Sequence, residues 1–259
     1  MMTSIRIHLQ GIKVALATRM TYRSDFFISV FIMLLIELFS PIVTLLIYQN
    51  GASFPGWTIY EALLIQGVFL LSRGIACPFF FTVPWNVIES VRSGTFDMYL
   101  IKPRPVFHTA IVFGFDSEDL GKLIGGAAIF IFSVTHIPPP SLLQWLQFLG
   151  LFLVSLIIMF AFALILSGLG IVWVGNFRFY EILFAIINFG LYPASIFPKM
   201  LQIILAYMIP ISMIGFMPAT VLLGKAQEGM LLAVLSSKML LIAGLWFWSR
   251  MLKRYTSSG

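Results

Sequence analysis

The chain has 259 residues, 60% hydrophobic and only 10% charged, with a mean hydropathy of +1.00. A soluble domain carries roughly 25% charged residues, so this composition excludes that class and points to an integral membrane protein. The net charge of +6 then reflects membrane orientation and an anionic inner leaflet, and no nucleic-acid partner is expected.

Residues 1–25 precede the first apolar block and carry Arg6, Lys13, Arg19 and Arg23. A secretory signal would pass at once from its basic end to a short apolar core, so none is expected here. Ile5, Leu9, Ile12, Leu16 and Met20 recur every three or four residues. That spacing predicts an interfacial helix with one apolar and one basic face, lying on membrane lipids.

Apolar blocks predict six transmembrane helices in an all-α integral membrane protein, near 26–48, 58–82, 119–136, 142–174, from about 180, and 231–251. HIPPPS at 136–141 stops the third, because consecutive prolines cannot continue a helix. In the segment 193–229, Pro193, Pro198, Pro210 and Pro218 divide the apolar sequence into short pieces. Pieces that short suit a re-entrant element before the last span better than a seventh crossing. The whole chain, 1–259, reads as a single transmembrane domain.

Basic residues set the orientation. With six spans, twelve of the sixteen Lys and Arg fall on one side, including Arg6, Arg19, Arg92, Lys102, Arg104 and Arg250–Arg254. Both termini are therefore expected in the cytoplasm, whereas seven spans would send RMLKRY outside. Tyr48, Trp57, Tyr60 and Trp145 lie at outer span ends, and Trp173, Trp246, Trp248 and Tyr255 at inner ones, as interfacial aromatic belts require.

Between the second and third spans the chain turns polar, in WNVIESVRSGTFDMYLIKPR at 85–104. Val87, Ile88 and Val91 form an apolar stripe beside Glu89 and Arg92, and Gly94 ends that piece. Phe96, Tyr99, Leu100 and Ile101 form a second cluster, which Pro103 and Pro105 stop. The pattern predicts a short amphipathic helix parallel to the membrane, with Phe96, Met98, Tyr99 and Leu100 exposed for a soluble partner.

SGTFDMYLIKPRP, the basic segment before span one, and the Pro-broken stretch before the last span resemble, in that order, the permease subunit of type-2 family ABC exporters. The similarity is to the six-span bacterial branch grouped with multidrug and antibiotic exporters. It implies a transmembrane half of an ATP-driven exporter in the bacterial plasma membrane. It also implies two ABC ATPase subunits on other chains, and a second permease that is the same or a similar chain. Residues 85–104 would be the coupling segment, with Glu89, Arg92, Gly94, Phe96, Asp97, Tyr99 and Leu100 toward the ATPase, and 193–229 would cap the exit. No G-x-x-x-x-G-K-[ST] occurs, since GKLIGGAA at 121–128 lacks both the preceding Gly and the Ser or Thr after Lys. This chain is thus expected to bind no cofactor, with ATP and Mg held by the partner ATPase.

Two other classes compete. A membrane-embedded lipid-modifying enzyme would need paired carboxylates, a metal set or an activated nucleophile. His8, His108 and His136 are scattered, Cys77 is the only cysteine, and Asp116-Ser117-Glu118-Asp119 starts a span, where Asp116 or Ser117 would cap it. No catalytic or metal residue is expected. An ion-coupled transporter or channel would use ionisable residues within spans, and Glu37 and Arg73 are such residues. They can pair if the first two spans pack together, or can line a substrate path.

Overall fold

A computed structural model describes residues 2–173, 178–225 and 228–256, and among these every regular element is helical. Helix α1 (Met2–Arg19) and helix α2 (Arg23–Gln49) are separated by a 3₁₀ turn at Met20–Tyr22. Tyr22 leaves helical geometry there, with φ −112° and ψ 73°. On α1, which contacts α6, Ile12 and Leu16 are partly covered while Arg6, Lys13 and Arg19 are exposed. The side chains of Ile5 and Leu9 lie outside the described residues.

Helix α3 (Ile59–Ala76) starts at a capping box, in which Thr58 and Glu61 each accept the other's backbone N–H. It is the central helix: every residue from Ala62 to Leu70 is buried. Pro78 cannot donate to the helical ladder, and the chain widens into a π turn at Cys77–Phe81. Two carbonyls of the turn accept bonds from outside the helical ladder. Pro78 accepts from the Asp116 N–H at 3.1 Å, and Cys77 accepts from the Thr82 hydroxyl at 3.2 Å. Helix α4 (Val83–Arg92) continues from that turn, followed by α5 (Asp97–Leu100) and α6 (Val106–Phe113).

Helix α7 (Leu120–Val134) crosses α3 backbone to backbone. A Cβ on Gly126 would stand 2.6 Å from the Leu70 carbonyl, and one on Gly74 2.5 Å from Leu123 Cα, so only glycine fits at either point. Gly121 does the same against Val30 of α2. The neighbours of the span-three glycines are therefore helices of this same chain. Asp119, not Asp116 or Ser117, precedes α7, and it makes no side-chain cap bond. Asp116 instead accepts from the Glu118 N–H at 3.0 Å, a turn two residues long that competes with capping.

Helix α8 (Leu142–Val172) begins after the prolines with a Ser141–Gln144 capping box. Helix α9 (Arg178–Ile187) runs into a 3₁₀ turn at Asn188–Leu191 and then meets Pro193. Short pieces follow: a 3₁₀ turn at Ala194–Ile196, α10 (Lys199–Ile203), a π turn at Ile204–Met208, a 3₁₀ turn at Ile211–Met213, and α11 (Phe216–Leu222). Helix α12 (Met230–Leu252) packs along α8.

Among the described residues, four stretches are long and apolar enough to cross a membrane: Gln10–Gln49, Ile59–Arg92, Leu142–Val172 and Met230–Leu252. Leu120–Val134 and Lys199–Met208 are apolar but shorter. The third expected span is thus a 15-residue helix, roughly 22 Å long against a hydrocarbon core of about 30 Å. The fifth is no single long helix among the described residues, because Pro193 ends it soon after Leu191.

Candidate functional site

The contacts sort the loops into two ends. At one, Arg19 of α1 bridges Glu118 at 2.7 Å, and Phe96 meets Tyr255 beyond α12 with ring centroids 4.9 Å apart. The C-terminal end of α1, the start of α7, segment 85–104 and Tyr255 therefore gather together. At the other, the Trp57 indole N–H donates to Ser195 at 2.8 Å, and Lys225 bridges Glu61 at 2.7 Å beneath the same indole ring. The 50–58 loop and the Pro-broken segment meet there.

Segment 85–104 departs from the expected surface helix. Helix α4 prolongs the α3 stretch and buries Val87, Ile88 and Val91, packing on α8. Ile88 fills the notch left by Gly170, where a Cβ would lie 2.3 Å from it. The apolar stripe thus serves this chain's own packing. Glu89 and Arg92 remain exposed, 3.8 Å apart. Gly94 takes φ +72°, a left-handed turn that suits glycine, and reverses the chain into α5. Phe96 then points inward and is wholly buried, while Tyr99 is half-covered and Asp97 partly so. The expectation of an exposed Phe96 is corrected: the Gly94 turn aims it at Tyr255 and Tyr99. What stands free is Met98 at 60%, Leu100 at 41% and Ile101 at 77% exposure. A shallow hollow of about 280 Å³ lies beside them, lined by Ser90, Thr95, Met98, Tyr99, Lys102 and Phe113. Lys102 holds its ammonium 5.7 Å from the Phe113 ring centre.

Within the helices, Glu37 and Arg73 meet. Arg73 Nε donates to Glu37 Oε1 at 3.0 Å, and a second N–H of the fork reaches Oε2. A third donates to Asn188 Oδ1 at 3.3 Å. The guanidinium also lies 5.8 Å and 5.7 Å from the Phe69 and Phe184 ring centres. Glu37 is buried and the Arg73 side chain nearly so, so the pair ties α2, α3 and the end of α9 together.

Other polar contacts had no clear signal in the sequence. Gln66 Nε2 donates to Thr44 at 2.8 Å and to Ser40 at 3.2 Å, beside the buried Pro41. The Ser72 and Ser155 hydroxyls are 2.9 Å apart. A lone Gln in an apolar span was the available hint for the first, while serines in spans are too common to mark the second. Asp119 is buried and bridges Lys122 at 2.6 Å. Among the described residues, no group of three His, Cys, Asp or Glu could hold a metal ion.

Residues 31–259 match the family model described as ABC-2 family transporter protein. The chain belongs to the ABC-2 transporter family. Among curated proteins, none matches it. The family match makes this ABC-2 membrane domain a transmembrane subunit of an ABC transporter, one that works with an ATPase partner. In it, Glu89, Arg92, Gly94, Met98, Leu100 and Ile101 share one end with Arg19 and Tyr255. Glu37 and Arg73 join the helices between the ends. Pro193, Pro198, Pro210 and Pro218 shape the opposite end, where Pro193, Pro210 and Pro218 are buried and Pro198 is exposed.

Proposed function

We propose that this chain is the permease half of an ATP-driven exporter of the bacterial plasma membrane, coupled at residues 85–104 to a separate ABC ATPase. The single observation that carries it is the exposed trio Met98, Leu100 and Ile101 at the end that holds Arg19 and Tyr255, within the region of the ABC-2 match. Exposed apolar side chains beside a hollow are the anchors that a protein partner buries, and central apolar anchors carry most interface energy. Glu89, Arg92 and Asp97 set orientation rather than strength. The twelve basic residues counted above favour the cytoplasm for this end, with six crossings: α2, α3–α4, α7, α8, the broken stretch from α9, and α12. A re-entrant stretch at 193–229 suits that count, since irregular backbone at membrane depth must be covered by protein, and residues Ile211–Leu222 are buried. Two such permeases, alike or similar, with two ATPases would form the exporter, and the ATPases would carry the ATP and Mg.

Co-purification with the encoded ATPase tests the coupling. Ile101→Asp with Leu100→Asp should keep the permease folded and inserted yet abolish ATPase association. Retention of full ATPase binding by the double variant would remove 85–104 as the coupling element.

A further inference from the structure

The largest cavity described, about 520 Å³, lies at the end opposite the coupling segment, between the 50–58 loop and the Pro-broken stretch. Its size falls within the range of small-molecule sites. Its walls mix chemistries. Trp57, Tyr207 and Phe216 supply aromatic faces, Lys199 a cation, Glu228 an anion and Ser212 a hydroxyl. The Lys225 ammonium 4.9 Å from the Trp57 ring centre shows an ammonium already resting on this aromatic wall.

The cavity is built rather than incidental. The π turn at Ile204–Met208 places the consecutive residues Ala206 and Tyr207 both on its wall, and π turns recur at functional sites. Tyr207 lies so close over Gly229 that a Cβ there would stand 2.2 Å from its hydroxyl. Gly229 also has φ +80°, so glycine is required on both counts. The Trp57 indole is fixed by its bond to Ser195.

Beside the cavity the surface is apolar. Ile203, one of its lining residues, is 56% exposed, and Met200 and Met208 on the same stretch are 76% and 71% exposed. A ligand that fits has a compact head with one positive and one negative group, and a tail that leaves along these side chains. We propose that this cavity binds the ammonium–phosphate headgroup of a zwitterionic phospholipid such as phosphatidylethanolamine. Lys199 meets the phosphate, while Glu228 and the aromatic faces meet the ammonium. The inference goes beyond the transport proposal: it needs the membrane placement but no ATPase.

The test is native mass spectrometry of the delipidated full-length chain, titrated with dihexanoyl-phosphatidylethanolamine, dihexanoyl-phosphatidylglycerol and phosphoethanolamine. One molecule of the ethanolamine lipid should bind saturably. Lys199→Glu and Glu228→Gln should each weaken it about tenfold or more, the loss expected for one charge-assisted contact. Both residues are exposed, so the variants should stay monodisperse. Equal binding of the glycerol lipid, or of phosphoethanolamine without its tail, would overturn the zwitterionic lipid as the occupant. So would affinities unmoved by either substitution, or no saturable binding. Since no ATPase is present, such failures leave the transport proposal standing, and loss of ATPase co-purification would leave this one standing.

Discussion

Phe96 and Tyr255 meet edge to face, their ring centroids 4.9 Å apart, so the segment after α4 rests on the residues that follow α12. The chain's last described turn is thereby part of the floor on which Met98, Leu100 and Ile101 are displayed. Phe96→Ala should cost about 3–5 kcal/mol, as for other fully buried Phe residues. Chemical denaturation in detergent should show the loss, and Tyr255→Ala should reproduce part of it. An unchanged midpoint for Phe96→Ala would mean that the ring is not buried in solution.

The Glu37–Arg73 pair makes a sharper demand. Removing one partner of a buried ion pair costs about 3–5 kcal/mol, because the other charge is left stranded. Arg73→Leu should therefore lower thermal stability strongly, and adding Glu37→Leu should recover most of the loss. Additive losses in the double variant would show that the two side chains act independently. Asn188→Ala should cost less than either, since it removes a neutral acceptor.

Gly126 tests the α3–α7 crossing. An added methyl would meet the Leu70 carbonyl at 2.6 Å, backbone against backbone, with no side chain able to yield. Gly126→Ala should destabilise by about 1–3 kcal/mol, the usual range for overpacking. Gly150→Ala, which has open space around it, should leave the unfolding midpoint unchanged or raise it slightly.

Orientation is checked with cysteines at Ser93 and Lys253, both exposed at the same end, in a Cys77→Ala background. Neither should react with an impermeant thiol reagent in intact cells, and both should react once the cells are opened. Labelling of either from outside would invert the cytoplasmic assignment.

The long helices were legible because hydrophobic blocks and caps are local: Arg23–Gln49, Leu142–Val172 and Met230–Leu252 follow the apolar runs closely. The meeting of Glu37 with Arg73 was legible for a different reason, since two opposite charges in adjoining apolar spans leave few other partners. Phe96 was not legible. Its direction depends on the Gly94 turn and on Tyr255, which lies far away in sequence. The stripe Val87, Ile88 and Val91 looks the same whether it faces lipid, a partner or α8, and only Gly170 distinguishes the last. The Pro-broken stretch announced its breaks but not its closure, because the bonds that seat it, Trp57 to Ser195 and Lys225 to Glu61, join residues from separate parts of the chain.

The π turn at Cys77–Phe81 gives chain length an angular meaning. Each residue of an α-helix advances about 100° and 1.5 Å, whereas a π turn spends one more residue on the same revolution, so the helix beyond it keeps its face. An insertion after Val83, where no wide turn takes it up, would instead swing the rest of α4 through about that angle. Ile88 would leave the notch at Gly170, and Glu89 or Arg92 would be driven against α8. The azimuth at which α4 meets α8 is thus written in the count of residues between Val83 and Ile88, while the turn before it takes up one residue without turning α4.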